Sequence, residues 1–80
     1  MSIKTRMNEL KPGQAGVIKQ FINGSSAYLH FLEMGLLPGA IVHFLRKAPF
    51  GDAIQVKVHG ILIFIRASDA ALIELDLLEA

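Results

Sequence analysis

Apolar and polar positions alternate with a period of two along most of the chain. From Ala53 to Val58, Ile54, Val56 and Val58 take one side, and Gln55, Lys57 and the following His59 take the other. That alternation is the pattern of a half-buried strand. Ala15 to Ile22 sets Val17, Lys19 and Phe21 against Ile18, Gln20 and Ile22, and predicts the first strand. Ala40 to Lys47 predicts the second, in which His43 alternates with Ile41 and Leu45. Ile61 to Ile65 is apolar on both sides, which suits a central strand. Ile73 to Leu77 alternates again and predicts the last.

One segment breaks this period. After Gly24-Ser25-Ser26, the residues Tyr28, Leu29, Leu32 and Leu36 fall on one side of a helical wheel, with Phe31 and Met34 pointing elsewhere. Ser25 or Ser26 suits the helix N-cap, and Gly35 suits its left-handed end. A second, single-turn helix is expected at Ser68 to Leu72, with Ser68 as its cap. Glycine and proline punctuate the rest: Leu10-Lys11-Pro12-Gly13, Leu37-Pro38-Gly39, Pro49-Phe50-Gly51-Asp52 and His59-Gly60 read as turns. Gly13, Gly35, Gly39, Gly51 and Gly60 are the expected structural turn residues. The sum is a mainly β domain over residues 1–80, a small curled sheet or barrel of five strands. One helix is inserted between the first and second, and closure is expected to remove the exposed edges.

Composition sharpens this picture. The chain has 80 residues, 52% of them hydrophobic and only 19% charged, which argues against disorder. A domain this small buries only about 60–65% of its unfolded surface. Some of its Ile, Leu, Val and Phe residues must therefore stay exposed, and part of the surface is expected to be a docking face. The net charge of +1, from 8 basic and 7 acidic residues, lacks the basic excess of a nucleic-acid binder. Lys4, Lys11, Lys19, Arg46, Lys47, Lys57 and Arg66 are scattered along the chain, and no aromatic ladder is present for base stacking. The longest stretches free of charged residues, Gln20 to Leu32 and Met34 to Leu45, are too short to span a bilayer. No export signal is recognisable, and a cytoplasmic location without direct membrane insertion is expected.

Catalytic chemistry lacks parts. There is no cysteine, and the serines at 25, 26 and 68 occupy helix-start positions rather than a nucleophile turn. No phosphate-binding glycine loop is present, so no cofactor is expected. The imidazoles are His30, His43 and His59. His30 and Glu33, three apart on the helix, are the weak surface candidates for a metal. No familiar ligand spacing surrounds the others, and no metal site is expected. What remains is apolar surplus at the helix exit. Phe31, Met34, Leu36, Leu37 and Pro38 are the candidate partner-binding residues, with Phe50 on a turn beyond.

These residues carry a resemblance. Leu10-Lys11-Pro12-Gly13-Gln14-Ala15-Gly16-Val17-Ile18 resembles the opening strand motif of the FeoA family, ferrous iron transport protein A. Leu32-Glu33-Met34-Gly35-Leu36-Leu37-Pro38-Gly39 resembles its helix-exit signature. Ala48-Pro49-Phe50-Gly51-Asp52-Ala53 resembles its proline–glycine–aspartate turn, with Ala53 where a second proline is usual. Arg66 to Leu75 resembles its closing motif. The resemblance implies an SH3-like barrel. It implies an accessory role in bacterial ferrous iron uptake, without enzymatic activity, through contact with the cytoplasmic G-protein portion of the membrane transporter FeoB. It thereby implies a position peripheral to the inner membrane. The same module ends iron-dependent transcription repressors, so a metal-responsive regulatory module is the alternative it implies. The family helix often carries Arg or Lys ahead of the position of Leu32, where this chain has Tyr28, Leu29, His30 and Phe31. That departure shifts the expected contact towards apolar docking. Weak self-association through the same patch is a third expectation.

Overall fold

A computed structural model of the chain describes residues 3–22, 27–49 and 51–78. Six strands form one antiparallel sheet: β1 (Ile3–Arg6), β2 (Ala15–Phe21), β3 (Ile41–Lys47), β4 (Ala53–Val58), β5 (Ile61–Arg66) and β6 (Ile73–Leu78). They lie in the order β1-β6-β2-β3-β4-β5. Helix α1 (Ala27–Glu33) connects β2 to β3, and the short α2 (Ala67–Ala70) connects β5 to β6. The expected caps Ser25 and Ser26, and Phe50 in the β3–β4 turn, lie outside the described residues.

The sheet has six strands where sequence periodicity predicts five. The additional strand is β1, whose only large apolar residue is Ile3. Nothing in Ile3-Lys4-Thr5-Arg6 alternates into the core. The segment is a strand because β6 offers it a ladder, pairing Ile3 with Leu77 and Arg6 with Glu74. A 3-10 turn follows at Met7–Glu9, and the Arg6 N–H donates to Glu9 Oε1 at 2.9 Å. Through this turn Met7 and Leu10 enter the core, both almost fully buried.

The core is one cluster to which β2 through β6, both helices and the 3-10 turn contribute. Its largest members are Phe31, Phe44, Met7, Ile18, Leu36, Ile54, Ile73 and Leu75. Two irregularities help the sheet to curl round it. The β2–β6 register shifts between Ile18 and Gln20, and the β3–β4 register shifts between Phe44 and Arg46. Each leaves an extra residue, Lys19 or Leu45, outside the ladder, and such bulges bend and twist a strand. At Gly16 the chains of β2 and β6 come very close. A Cβ there would lie 3.0 Å from Leu75 Cβ and 3.1 Å from the Asp76 carbonyl oxygen.

Three other expectations are corrected. Ile61–Arg66 is not a central strand but the end of the sheet; its apolar outer side, with Leu62 and Phe64, faces solvent. Among the described residues no ladder joins β5 to β1, so the curled sheet keeps two edges. The 3-10 turn packs against α2 and β6, and α2 against β5. Ser68 is not a cap: the N-cap of α2 is Arg66, which makes no side-chain capping bond.

Candidate docking surface

Helix α1 turns a different side inward from the one its wheel suggests. Phe31 is buried to 1% exposure, whereas Tyr28 is half-exposed and Leu29 is 68% exposed. The cause lies on β2. The Phe21 ring stacks on Phe31, with centroids 5.5 Å apart, and meets Tyr28 edge-on at 5.2 Å. An aromatic anchor at the end of a strand thus fixes the helix rotation, and a seven-residue helix is too short for its own periodicity to overrule it.

The helix ends in a Schellman motif. The Leu36 N–H donates to the Phe31 carbonyl at 3.0 Å, and the Gly35 N–H donates to the Leu32 carbonyl at 3.0 Å. Gly35 takes φ 82° there, a conformation that glycine adopts without penalty. The two residues at the positions whose apolar contact commonly accompanies this motif, Phe31 and Leu36, both belong to the core, and Leu36 is fully buried. Phe31 and Leu36, both candidate partner residues on the sequence, are therefore core residues with no surface to offer. Met34 is partly buried and packs against the core.

Leu37 and Pro38 are exposed, Leu37 to 46%. They stand on a tight turn whose Ala40 N–H donates to the Leu37 carbonyl at 2.9 Å. Pro38 at the second position and Gly39 at the third, with φ 95°, give the sequence of a type II turn. The turn is fastened to β2 by two further bonds. The Gly39 N–H donates to the Ile18 carbonyl at 2.7 Å, and the Ile18 N–H donates to the Ala40 carbonyl at 2.9 Å. Leu37 is thus held out from a rigid support rather than from a mobile loop.

From this turn an open groove of about 630 Å³ runs over β3 and β4 to the β4–β5 hairpin. Gly39, Ala40, Ile41, His43, Leu45, Lys57, His59 and Gly60 line it. His59 and Gly60 both have positive φ, 53° and 78°, as a two-residue type I′ hairpin requires. Gly13 and Gly51 also have positive φ, in the turns ahead of β2 and β4.

Outward from β3 and β5, on either side of the polar Gln55 and Lys57 of β4, lies an apolar surface that sequence reading did not single out. It holds Ile41, Leu45, Leu62 and Phe64, all exposed. The signal was present in the strand pattern, where Ile41, His43 and Leu45 share a side opposite the buried Val42 and Phe44. The same three strands carry Arg46, Lys47, Lys57 and Arg66 and no acidic residue. Acidic residues gather instead on β6, where Glu74 faces Lys4 at 4.0 Å and Asp76 pairs with Lys19 at 3.2 Å.

His30 and Glu33 are both exposed on α1. Among the described residues no group of three His, Asp or Glu side chains could hold a metal ion. No helix among them is long and apolar enough to cross a membrane.

Comparison with known proteins agrees with this geometry. Residues 5–77 match the FeoA domain family model. The structure is similar to that of an iron uptake regulatory protein (FeoA), with 28% identity and a TM-score of 0.84, over 95% of this chain and 100% of that one. It is also similar to Stenotrophomonas maltophilia FeoA complexed with zinc, an SH3 domain protein, with 21% identity, a TM-score of 0.77 and coverage of 90% and 89%. A manganese-dependent transcriptional repressor shares the fold at 14% identity and a TM-score of 0.86, with 98% of this chain matching 44% of the repressor. The curled SH3-like sheet, the helix-exit turn and a match spanning nearly all of the sequence lead to one assignment: the chain belongs to the FeoA family, which is associated with ferrous iron transport.

Proposed function

We propose that the protein is a non-enzymatic docking module that binds the cytoplasmic G-protein portion of an FeoB-type ferrous iron transporter and modulates it. The carrying observation is the Leu37–Ala40 turn, fastened to β2 at Ile18, with Leu37 and Pro38 displayed beside the groove over β3 and β4. Apolar side chains on a rigid support lose little conformational freedom on association. Burying one of them is worth about 1.5–3 kcal/mol, so Leu37, Ile41 and Leu45 together supply about 5–9 kcal/mol before association costs, a part of what a stable complex requires. Arg46, Lys47 and Lys57, on strands without acidic residues, suit a partner surface that carries carboxylates. Such a contact modulates the transporter to the extent that it prefers one of the transporter's states. The protein works in the cytoplasm, at the inner membrane through its partner.

The experiment is a binding titration of the purified protein against the cytoplasmic portion of the transporter, with Leu37→Asp as the variant. Leu37 is exposed, so the variant keeps its fold, and binding weakens by a factor of ten or more. Unchanged affinity in a folded Leu37→Asp protein would remove this surface from the function.

A further inference from the structure

Strand β5 ends the sheet, and among the described residues no further strand covers its free edge. Natural edge strands are commonly protected by charge, proline or a covering element. Here Ile61, Leu62 and Phe64 are exposed to 62%, 55% and 59%. Among the described residues, no turn, loop or cap backbone hydrogen bond involves any residue from Ile61 to Ile65. The hairpin fixes which groups are free. With His59-Gly60 as a two-residue type I′ loop, the pair Val58–Ile61 that closes it is hydrogen-bonded. Bonded pairs then alternate along the ladder, so Ile61, Ile63 and Ile65 bond to β4. Leu62 and Phe64 aim their N–H and C=O groups away from it.

From this edge we infer that β5 pairs antiparallel with β5 of a second copy, in a register centred on Ile63. Two constraints select that register. Residues opposite one another in a sheet share a face, so the inward Ile63 must meet an inward residue and the outward Leu62 an outward one. Centring on Ile63 sets Ile61 opposite Ile65, Leu62 opposite Phe64 and Ile63 opposite itself, all apolar pairs. It also makes Leu62–Phe64 the hydrogen-bonded pair on both sides of the two-fold axis, using the groups that β4 leaves free.

Charge selects the occupant. The one charged residue of β5 is Arg66, at its end. In this register the two Arg66 positions lie at opposite ends of the pairing, about 20 Å apart at roughly 3.4 Å per residue. The other edge of the sheet behaves differently. A symmetric pairing of β1 about Thr5 would set Lys4 opposite Arg6, and like charges directly opposite are unfavourable. Self-pairing is thus opposed at β1 and open at β5. A contact of five residues a side falls well short of the roughly 800 Å² per partner of a standard interface, so the dimer is weak and forms at high concentration. It is independent of the transporter contact proposed above.

The test is sedimentation equilibrium of the full chain from about 10 µM to about 1 mM, the range of weak association. The wild-type mass rises towards the dimer. The double variant Leu62→Glu/Phe64→Glu places carboxylates opposite each other and stays monomeric, with an unchanged circular dichroism spectrum. A matching Leu62→Lys/Phe64→Lys variant is monomeric alone, and an equimolar mixture of the two dimerises again, which a merely structural effect would not produce. Because the chain has no cysteine, Ile63→Cys reports the register directly. It oxidises to a disulfide dimer faster than Lys57→Cys, which lies one strand in from the edge. A wild-type protein that is monomeric throughout the range overturns the inference. So does a dimer that survives the paired Glu substitutions.

Discussion

The imidazole of His59 lies over Gly35: a Cβ added to Gly35 would stand 3.8 Å from His59 Cδ2. The tip of the β4–β5 hairpin is therefore placed beside the exit of α1, although the two are 24 residues apart in sequence (59 against 35). At 3.8 Å the added carbon meets ordinary van der Waals contact, so crowding is not what requires glycine here. The backbone does, because φ 82° is a conformation that costs an L-residue about 1–2 kcal/mol. Gly35→Ala is expected to lower stability by about that amount in urea unfolding, and Gly35→Asn by less, because asparagine tolerates the left-handed region. Equal losses for the two variants would point to His59 rather than to φ.

Gly16 makes the opposite case. Its place in β2 demands no special φ, but an added Cβ would sit 3.0 Å from Leu75 Cβ and 3.1 Å from the backbone oxygen of Asp76. A backbone oxygen in a ladder cannot swing aside. Gly16→Ala should cost about 1–3 kcal/mol, the usual range for overpacking. The loss should appear mainly as weakened hydrogen-exchange protection across the β2–β6 pairing.

Core and surface can be separated on a single helix. Phe31→Ala removes a buried ring that stacks on Phe21, and is expected to cost about 3–5 kcal/mol, enough to unfold much of so small a domain. Leu29→Asp, two residues earlier and largely exposed, should change stability by no more than about 0.5 kcal/mol. Thermal unfolding of the two variants side by side decides which side of α1 is the inner one.

Met34 and Leu37 should part company in the same way. Met34 packs against the core, so Met34→Asp should lose stability along with binding and says little about docking. Leu37→Asp should keep the wild-type unfolding midpoint within error while losing partner affinity. A large drop in the midpoint for Leu37→Asp would mean that the turn depends on this side chain for its shape.

Much of this architecture was legible in the chain because strands with one buried side declare themselves by alternation. Ile54, Val56 and Val58 did so, and they are buried as their spacing requires. The turn glycines were legible for a different reason, since few other residues suit Leu37-Pro38-Gly39 or His59-Gly60. Strand β1 was not legible because its strand character comes from β6 and not from its own side chains. The inner side of α1 was hidden because Phe21, on another element, sets it. The edge position of β5 was misread because an all-apolar run describes a strand buried on both sides equally well as one with a docking surface on one of them. The exposed residues Leu62 and Phe64 are the outcome of that ambiguity.

A formal charge of +1 conceals how unevenly that charge is laid out. Arg46, Lys47, Lys57 and Arg66 sit on β3, β4 and β5 without a salt bridge among the described residues, while the carboxylates of β6 are engaged by Lys4 and Lys19. A nearly neutral molecule built this way has a lopsided field. Within the roughly 8 Å over which charge is felt at physiological ionic strength, an acidic target would rotate the protein before touching it. The groove side then arrives first, and the encounter rate falls as salt is added even if the final affinity rests on leucines and isoleucines.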